Sequence, residues 1–302
     1  MEPLHADRIA VNRVVISAPG RSGSTLLQSM FLAACGTLTF FEPCRHSPEG
    51  DVRRDRCVQQ VRRFLACDLP VSHGLWEPPQ IGGWLKHPYL DANTSCSAPP
   101  FQHVALVTAA CRRARLVVVK EIRLQGQLRR LGAALSERPP RGDTSTALIQ
   151  LVRDPRAIIA SQKRLRWWDF NLPHEMARVA RHTCDSMLAD AAAGAKLRRR
   201  GQIRHIVVRF EELVSNLSAT AYRLYADLGW RVPHSTREWL LRTLRGQCRS
   251  HTDFEYSTCR NATSASHTDW RAVFTRRERR AVMSKCKKAL RYFGYVDDVL
   301  EK

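Results

Sequence analysis

Five short runs of apolar, mostly β-branched residues divide the chain, and longer segments with helical periodicity separate most of them. The runs are Arg13–Ala18, Leu38–Phe41, Arg115–Ile122, Ala147–Val152 and His205–Phe210. Runs of this kind are typical of strands that a parallel sheet buries on both faces. Strands that alternate with helices predict an α/β fold with three layers, in which helices flank a central, mainly parallel sheet.

The segments between the runs repeat apolar residues at the spacing of amphipathic helices. They predict helices at Thr25–Cys35, Pro155–Arg166, Glu175–Arg200, Ser218–Leu228, Ser235–Arg245 and about Arg276–Phe293. The last helix has the clearest boundaries, because Thr275 and Glu278 form a capping-box pattern and Gly294 stands at its end. Residues 44–101 are less regular, and we expect helical segments and loops there, over one end of the sheet.

The first predicted strand leads into the loop Ala18–Thr25, with the sequence APGRSGST, and then into a helix. A helix that starts after such a loop points its free backbone N–H groups at an anion, and Gly20 and Gly23 permit a tight turn. Ser24 stands where the lysine of a nucleotide-binding P-loop belongs, and Arg21 supplies the cation instead. The pattern predicts a P-loop-like anion site, with an ordinary Gly–Ser turn as the alternative.

A second candidate site follows the fourth predicted strand. Arg153 lies at the carboxyl end of that strand, where open α/β sheets bind ligands. Pro155 then opens a helix that carries Ser161 about two turns further on. An arginine fork and a serine hydroxyl can hold a phosphate group together. The alternative is structural: Arg153 pairs with Asp154 or another nearby acid, and Ser161 has no special role.

Together and in this order, the two motifs resemble those of the sulfotransferases that use PAPS (3′-phosphoadenosine 5′-phosphosulfate). The loop Arg21–Thr25 resembles their 5′-phosphosulfate loop, and Arg153 and Ser161 resemble their 3′-phosphate motif at the same spacing. The loop arginine and the sequence RDPRA are similar to the Golgi carbohydrate sulfotransferases rather than to the cytosolic enzymes. Other segments that fit this group are Phe41–Pro43, Lys120–Arg123, Arg209–Leu213, Trp270–Arg271, Cys286, Leu290 and Gly294–Tyr295.

The resemblance implies a reaction and a set of binding residues. The reaction is transfer of a sulfuryl group from PAPS, with PAP as product, to a hydroxyl of a glycan or glycosaminoglycan. By analogy this is the 6-hydroxyl of galactose, N-acetylglucosamine or N-acetylgalactosamine, and no metal is expected. The residues implied for the cofactor are Arg21, Ser22, Gly23, Ser24, Thr25, Leu26, Leu27, Arg153 and Ser161. Residues 1–302 are expected to form one sulfotransferase domain, with 44–101 as an acceptor-side insertion.

Arg21 and Glu42 are the candidate catalytic residues. Arg21 and the N–H groups of residues 22–25 are placed to stabilise negative charge on the bridging oxygen of the donor. Glu42 ends the second strand, is expected beside the loop in a parallel sheet, and resembles the family's Phe-Glu-Pro, so it is the candidate base. The alternative is a structural carboxylate paired with Arg21 or Arg45. The other candidates for the base are His46, His73 and Glu77.

Candidate acceptor contacts lie just beyond the cofactor helix and along the third strand. Aromatic rings stack on sugar faces, and arginines pair with sulfates or carboxylates. The candidates are Arg164, Arg166, Trp167, Trp168, Lys120 and Arg123. An aromatic pair such as Trp167 and Trp168 is more often part of a hydrophobic core, so that alternative stays open.

Charge and cysteine content bear on the partner and the compartment. Lys and Arg number 49 against 28 Asp and Glu, and the formal net charge of +21 suits a polyanionic partner. Ten cysteines without zinc-finger spacing, with sequons at Asn93, Asn216 and Asn261, favour an oxidising, lumenal compartment. The sequence contains no signal peptide and no apolar run of the roughly 18 residues that span a bilayer. Golgi residence, through an anchor not present in this sequence, is an expectation from the resemblance.

Other classes of protein remain as alternatives at this point. A P-loop kinase or NTPase needs a loop lysine and an acidic Mg²⁺ ligand, for which Asp154 is the only convenient candidate. A non-catalytic polyanion-binding relative needs only the basic surface. Nucleic-acid binding is not expected, because no RNP, zinc-finger or helix-turn-helix signature accompanies the charge.

Overall fold

The computed structural model describes residues 2–4, 10–44, 51–69, 104–137, 145–172, 174–201, 203–247 and 270–295. Within them, five strands form one sheet whose neighbouring strands are all parallel. The strands are β1 (Arg13–Ser17), β2 (Thr37–Phe41), β3 (Leu116–Glu121), β4 (Thr146–Val152) and β5 (Arg204–Arg209). Each coincides with a predicted run to within one residue at either end, so the predicted parallel sheet is confirmed.

The strand order, β2-β3-β1-β4-β5, places β1 in the middle of the sheet. The connection that leaves β1 runs toward the β2 edge, whereas the connection that leaves β4 runs toward the β5 edge. Where such connections diverge, open α/β sheets form a ligand-binding crevice outside the carboxyl ends of the strands. The register places Ser17 of β1 level with Glu121 of β3 and Gln150 of β4. The segments that follow these three strands therefore meet at one edge of the sheet.

Helices cover both faces of the sheet. The helices of the described residues are α1 (Ser24–Leu32), α2 (Asp51–Leu65), α3 (Val104–Arg113), α4 (Leu128–Glu137), α5 (Pro155–Arg164), α6 (Glu175–Arg199), α7 (Phe210–Ser215), α8 (Leu217–Asp227), α9 (His234–Leu244), α10 (Trp270–Val273) and α11 (Arg276–Tyr292). The predicted helices correspond to α1, α5, α6, α8, α9 and α11, and the capping box of Thr275 and Glu278 is present. No helix is predicted specifically at α4, although Leu128, Leu131 and Leu135 have helical spacing and are buried.

The hydrophobic core lies on the two faces of the sheet. On one face Ile16 of β1 packs in a cluster with Phe31 of α1. On the other face Val15 belongs to a cluster with Val61 of α2 and Leu131 of α4. Burying a side chain of this size contributes about 1.5–3 kcal/mol. A third cluster joins α5, α6, α10 and α11, and the sheet with its flanking helices forms the predicted three layers.

Disulfides attach the outer helices to this core. Those between described residues join Cys44 to Cys57, Cys67 to Cys111 and Cys184 to Cys286, and Cys35 is also disulfide-bonded. They connect the segment after β2 to α2, the end of α2 to α3, and α6 to α11. Loops of 13 to 102 residues are closed in this way, which contributes roughly 3–5 kcal/mol each by restricting the unfolded chain. Among the described residues, no helix has the length and apolar character needed to cross a membrane.

Candidate active site

The loop after β1 keeps its shape because two aromatic rings fill the space beside its glycines. Gly23 has a φ of 87° and precedes α1, and a Cβ there would lie 2.3 Å from the ring of Phe210. A Cβ at Gly20 would lie 2.4 Å from the ring of Trp167. A larger residue at either position would have to displace a ring. Both glycines are therefore required for this loop to approach its neighbours so closely.

The loop also contains backbone strain and an unsatisfied hydroxyl. Arg21 has a left-handed φ of 75°, which costs a residue other than glycine about 1–3 kcal/mol and is found mostly at functional sites. Gln162 of α5 donates to the carbonyl of Gly20 at 3.1 Å, and the N–H of Ser22 donates to the carbonyl of Pro19 at 3.2 Å. The Ser22 hydroxyl is buried without a hydrogen-bond partner among the described residues. Because such a group is costly, it indicates a position for a ligand.

Arg153 joins the end of β4 to this loop. Its Nη1 donates to the carbonyl of Arg21 at 2.9 Å, and its guanidinium lies 4.3 Å from the centroid of the Phe210 ring. Its Nε is buried and has no partner in the described part of the chain. Burial lowers the pKa of Arg153 from its usual value and Glu211 opposes the change, but a guanidinium remains charged at ordinary pH. Arg153 thus brings a buried cation with an available donor to the crevice.

The two sequence motifs are in direct contact. Arg21 Nε donates to Ser161 Oγ at 3.1 Å, across 140 residues of sequence. Together with the bond from Arg153 to the Arg21 carbonyl, this contact joins the loop, the end of β4 and α5 in one cluster. The sequence predicts the two motifs at opposite ends of one ligand. The structure brings them together, with the Arg21 side chain spanning the space between them.

Asp154 has a structural role of its own. It caps α5 by accepting from the N–H of Arg156 at 2.9 Å, and its carboxylate pairs with the Arg156 guanidinium at 2.8 Å. That guanidinium lies over the ring of Trp270, 4.6 Å from its centroid. Both carboxylate oxygens of Asp154 are engaged. Of the structural alternative, the pairing of Arg153 with Asp154 is therefore wrong, whereas an electrostatic interaction of Arg153 with another nearby acid, Glu211, is present.

Glu42 is held between two cations at the end of β2. It is 8% exposed and has a left-handed φ of 50°. Lys120 Nζ donates to its Oε1, and Arg123 Nη1 donates to its Oε2 at 2.9 Å. The expectation that Glu42 lies beside the loop is wrong in one respect, because β3 lies between β2 and β1. The order follows from the second crossover connection, which the strand pattern alone does not specify.

Glu121 anchors the backbone around Glu42. It is fully buried, and its carboxylate accepts from the N–H of Cys44 at 2.7 Å and from the N–H groups of Ile122 and Arg123 at 2.9 Å each. The disulfide from Cys44 then continues to α2. The sulfurs of this disulfide and Glu121 are close enough together to hold a metal, but both sulfurs are already oxidised. The cluster therefore positions backbone rather than an ion.

The electrostatics of this cluster keep Glu42 ionised. Burial alone would raise the pKa of Glu42, but Lys120 and Arg123 outweigh it and hold that pKa below its usual value. Burial lowers the pKa of Lys120 and raises the pKa of Glu121. Two carboxylates and two cations thus face one another where little water enters. An ionised Glu42 is able to accept a proton.

The predicted acceptor residues lie partly at the surface. Trp168 is 40% exposed, and its Nε1 donates to Gln162 Oε1 at 3.1 Å. The Arg178 guanidinium lies 5.2 Å from the centroid of this ring. Trp167 covers the loop at Gly20, so the two tryptophans do not form a core pair. Arg164 and Arg166 are exposed.

Three residues of the crevice, Phe210, Glu211 and Tyr295, were assigned no role from the sequence. Glu211 accepts from the N–H of Asp154 at 3.0 Å and from the hydroxyl of Tyr295 at 3.0 Å, and Phe210 stacks on Arg153. Their segments carry part of the family resemblance without an assigned function. The sequence signal that could have identified Phe210 and Glu211 is their position directly after β5. The end of β5 is paired with the end of β4, which carries Arg153 into the crevice.

The remaining predicted positions lie outside the described residues or make contacts of another kind. Arg45, His46, His73, Glu77, Asn93 and Asn261 lie outside the described residues. Leu27 is fully buried in the core and Leu26 packs against it, and the N–H groups of both residues donate to the carbonyl of Gly23. Asn216 is exposed and caps α8 by accepting from the N–H of Ala219 at 2.9 Å.

The fold and the crevice define the class of protein. The sulfotransferase domain of the Synechococcus PCC 7002 olefin synthase matches with a TM-score of 0.53 at 20% sequence identity. The match covers 96% of this chain and 98% of that domain. The chain therefore has the sulfotransferase fold, as the motifs predict.

The curated relatives to which the chain is similar are carbohydrate sulfotransferases. The human carbohydrate sulfotransferase 3 is 28% identical over 330 residues, which cover 93% of this chain and 67% of the relative. Carbohydrate sulfotransferase 1 of Danio rerio is 26% identical over 307 residues, which cover 97% of this chain and 67% of that relative. No family model matches the chain. Over nearly its whole length the chain is therefore similar to carbohydrate sulfotransferases.

Proposed function

We propose that the protein transfers the sulfuryl group of PAPS to a hydroxyl of a glycan or glycosaminoglycan. One observation carries the proposal: the loop after β1 and the Arg153/Ser161 motif form one hydrogen-bonded cluster at the ligand-binding edge of the sheet. An NTPase is disfavoured because the loop has no lysine and Asp154, the candidate Mg²⁺ ligand, is committed to Arg156.

The residues of the crevice fit a nucleotide with a phosphate at both ends. Ser22 Oγ and Arg153 Nε are buried donors without partners among the described residues. The start of α1 adds free N–H groups and the positive end of its dipole. The Arg21 side chain has to leave Ser161 for both motifs to contact phosphate. Ser161 and Arg153 then hold the 3′-phosphate, and Arg21 and residues 22–25 hold the 5′-phosphosulfate.

Bound PAPS supplies the electrophilic sulfur, and Glu42 supplies the base. The acceptor hydroxyl oxygen forms a bond to sulfur, the bond from sulfur to the bridging phosphate oxygen breaks, and the hydroxyl proton passes to Glu42. Lys120 and Arg123 orient the carboxylate. Arg21 and the loop N–H groups stabilise the charge on the leaving oxygen. No residue of this scheme requires a metal ion.

The acceptor is proposed to enter from the side of Trp168, within one domain that spans the chain and has residues 44–101 as its acceptor-side insertion. Trp168 offers an exposed ring for a sugar face, and Arg164 and Arg166 offer cations for anionic substituents. The 6-hydroxyl of galactose, N-acetylglucosamine or N-acetylgalactosamine is the proposed target. The disulfides and the exposed sequon at Asn216 support action in the Golgi lumen.

The test is a transfer assay with ³⁵S-labelled PAPS against chondroitin, keratan and desulfated glycans, with PAP and ATP binding measured in parallel. We expect label in at least one glycan, and binding of PAP but not ATP. Binding of ATP with phosphoryl transfer would identify a kinase. Glycan binding without PAP binding or sulfuryl transfer would identify a non-catalytic polyanion-binding protein.

A further inference from the structure

One helix outside the candidate active site has a very high density of positive charge. Its cations are Arg276, Arg277, Arg279, Arg280, Lys285, Lys287, Lys288 and Arg291. All of them except Lys285 are exposed. The same helix, α11, contains one acidic residue, Glu278. Such a composition is unusual for a helix that only covers a core, because opposite charges normally alternate on its outer face.

The single acid does not neutralise this charge. Glu278 accepts from the backbone and side chain of Thr275 in the capping box, and it pairs with Lys163 of α5 at 2.7 Å. Among the described residues, no ion pair involves Arg276, Arg277, Arg280, Lys287, Lys288 or Arg291. The charge of the outer face therefore remains available to a partner.

The exposed cations are aligned along the helix. Arg276, Arg280, Lys287 and Arg291 fall within about 60° of one another around the axis, and they span roughly 22 Å along it. We call these four residues the basic stripe. The opposite face, with Val282, is buried in the core cluster of α5 and α6, and a disulfide from Cys286 fixes the helix to α6. The stripe is therefore held facing away from the core.

The arrangement reduces the stability of the helix without an evident benefit to the fold. Arg276 and Arg280 are like charges four residues apart, and so are Lys287 and Arg291. Such pairs destabilise a helix. A local arrangement that costs stability and is not compensated within the chain is a common sign of a binding surface.

We propose that the basic stripe is a docking surface for an anionic polysaccharide, with sulfate or carboxylate groups along its length, that serves as the acceptor. This inference rests on the proposed function. A row of cations suits a linear polyanion better than a single phosphate, because several charges are contacted at once. The stripe begins close to the crevice: Lys163, which pairs with Glu278 and donates to the carbonyl of Val273 at 3.3 Å, is two residues from Ser161.

The experiment compares two variants that each remove four positive charges. The stripe variant combines Arg276→Gln, Arg280→Gln, Lys287→Gln and Arg291→Gln. The control variant combines Arg112→Gln, Arg113→Gln, Arg237→Gln and Arg245→Gln, all exposed on other helices or their ends. Binding of chondroitin sulfate chains is measured at several salt concentrations, together with PAP affinity and the melting temperature.

We expect the stripe variant to bind chondroitin sulfate at least about tenfold more weakly, with a shallower dependence on salt because fewer counterions are released. The control should lose less than threefold, and PAP affinity should be unchanged in both. Equal losses of chondroitin sulfate affinity in the two variants would show that only the net charge of the protein matters, and they would overturn the proposal. Loss of binding to anionic phospholipid vesicles, with chondroitin sulfate binding retained, would overturn it in favour of a membrane surface.

Turnover separates this inference from the proposed function. If the wild-type protein binds chondroitin sulfate through the stripe but transfers no sulfuryl group, the proposed function fails and the docking surface stands. If transfer occurs, the stripe variant should have a KM for the polymer raised about tenfold with kcat retained, and an unchanged kcat/KM for a short oligosaccharide acceptor. Unchanged polymer KM in an active stripe variant would overturn the docking surface alone.

Discussion

The two sides of the crevice are held together by different kinds of contact. On the loop side, Gly20 and Gly23 pack against aromatic rings, and Arg153 donates to a backbone carbonyl. On the other side, Glu42 is fixed by Lys120 and Arg123. The loop side leaves buried donors without partners among the described residues, whereas the charges of the Glu42 side satisfy one another. The loop side therefore suits the binding of an anion, and the Glu42 side suits the role of an oriented base that is proposed for Glu42.

This difference predicts that the two sides can be disabled separately. Changes on the Glu42 side should reduce the rate of transfer and leave the nucleotide bound. Changes on the loop side should weaken nucleotide binding first. A protein in which each change affected both properties equally would not have the division of roles proposed here.

The largest effect is expected for Glu42→Gln, which keeps the shape of the side chain and removes the proposed base. Loss of general base catalysis should reduce kcat by roughly 100- to 10,000-fold. PAP affinity, measured by calorimetry, should stay within about threefold. Glu238→Gln is the control, since Glu238 lies at the surface of α9. Near-normal turnover of Glu42→Gln would remove Glu42 from the mechanism.

Arg153→Lys tests the loop side. Lysine retains the charge but lacks the fork of the guanidinium, and hydrogen bonds to charged groups contribute about 1.5–3 kcal/mol. We expect the KM for PAPS to rise by roughly 10- to 100-fold, with a smaller change in kcat. Arg156→Lys is the matched control, because Arg156 pairs with Asp154 and should affect the melting temperature rather than KM. Equal KM increases in both variants would contradict the role of Arg153.

Lys120→Met examines how Lys120 sets the pKa of Glu42, the proposed base. Lys120 lowers the pKa of Glu42, so its removal should raise that pKa and move the acid limb of the kcat/KM profile to higher pH. The charged groups around Glu42 in the described residues are Lys120, Glu121 and Arg123. We expect kcat to fall by roughly tenfold, about 1.4 kcal/mol.

A purely structural role of Lys120 would lower activity without moving the acid limb. The double variant with Glu42→Gln provides a second readout. If Lys120 acts through Glu42, the further loss in that background should be small. Additive losses in kcat would show that Lys120 acts elsewhere.

The smallest effect concerns the shape of the loop. Gly23→Ala introduces a Cβ at positive φ and against the Phe210 ring, whereas Gly201→Ala introduces one at a φ of 64° with nothing within 4 Å. Both should lose about 1 kcal/mol of unfolding free energy from the backbone, and Gly23→Ala about 1–2 kcal/mol more from the ring. Denaturant unfolding measures both. Equal losses would mean that the ring adapts freely.

Much of the fold could be predicted from the sequence because buried parallel strands leave continuous apolar runs. The strand ends and the cap at Thr275 followed from local chemistry alone. The strand order did not, and it separates Glu42 from the loop by one strand. Lys120 and Glu121 illustrate the same limit, because their place within an apolar run predicts only that they belong to a strand. The register of β2 and β3 is needed to show that Lys120 contacts Glu42.

The candidate site was predictable where one segment contains the whole motif, as in the loop around Arg21. Contacts between distant segments were not. The bond from Arg21 to Ser161 and the stacking of Phe210 on Arg153 depend on how three strands end at one edge. Residues such as Glu211 can be recognised as part of the candidate site only in the folded structure, where the ends of these strands lie together.

The most direct measurement is a calorimetric comparison of PAP with AMP, which lacks the 3′-phosphate. If both motifs form one site, the protein should bind one PAP per chain at least about tenfold more tightly than AMP, since a charge-assisted contact contributes more than 1.4 kcal/mol. Ser161→Ala should reduce that preference. Equal affinities for PAP and AMP would mean that Arg153 and Ser161 do not bind the nucleotide bound by the Arg21 loop.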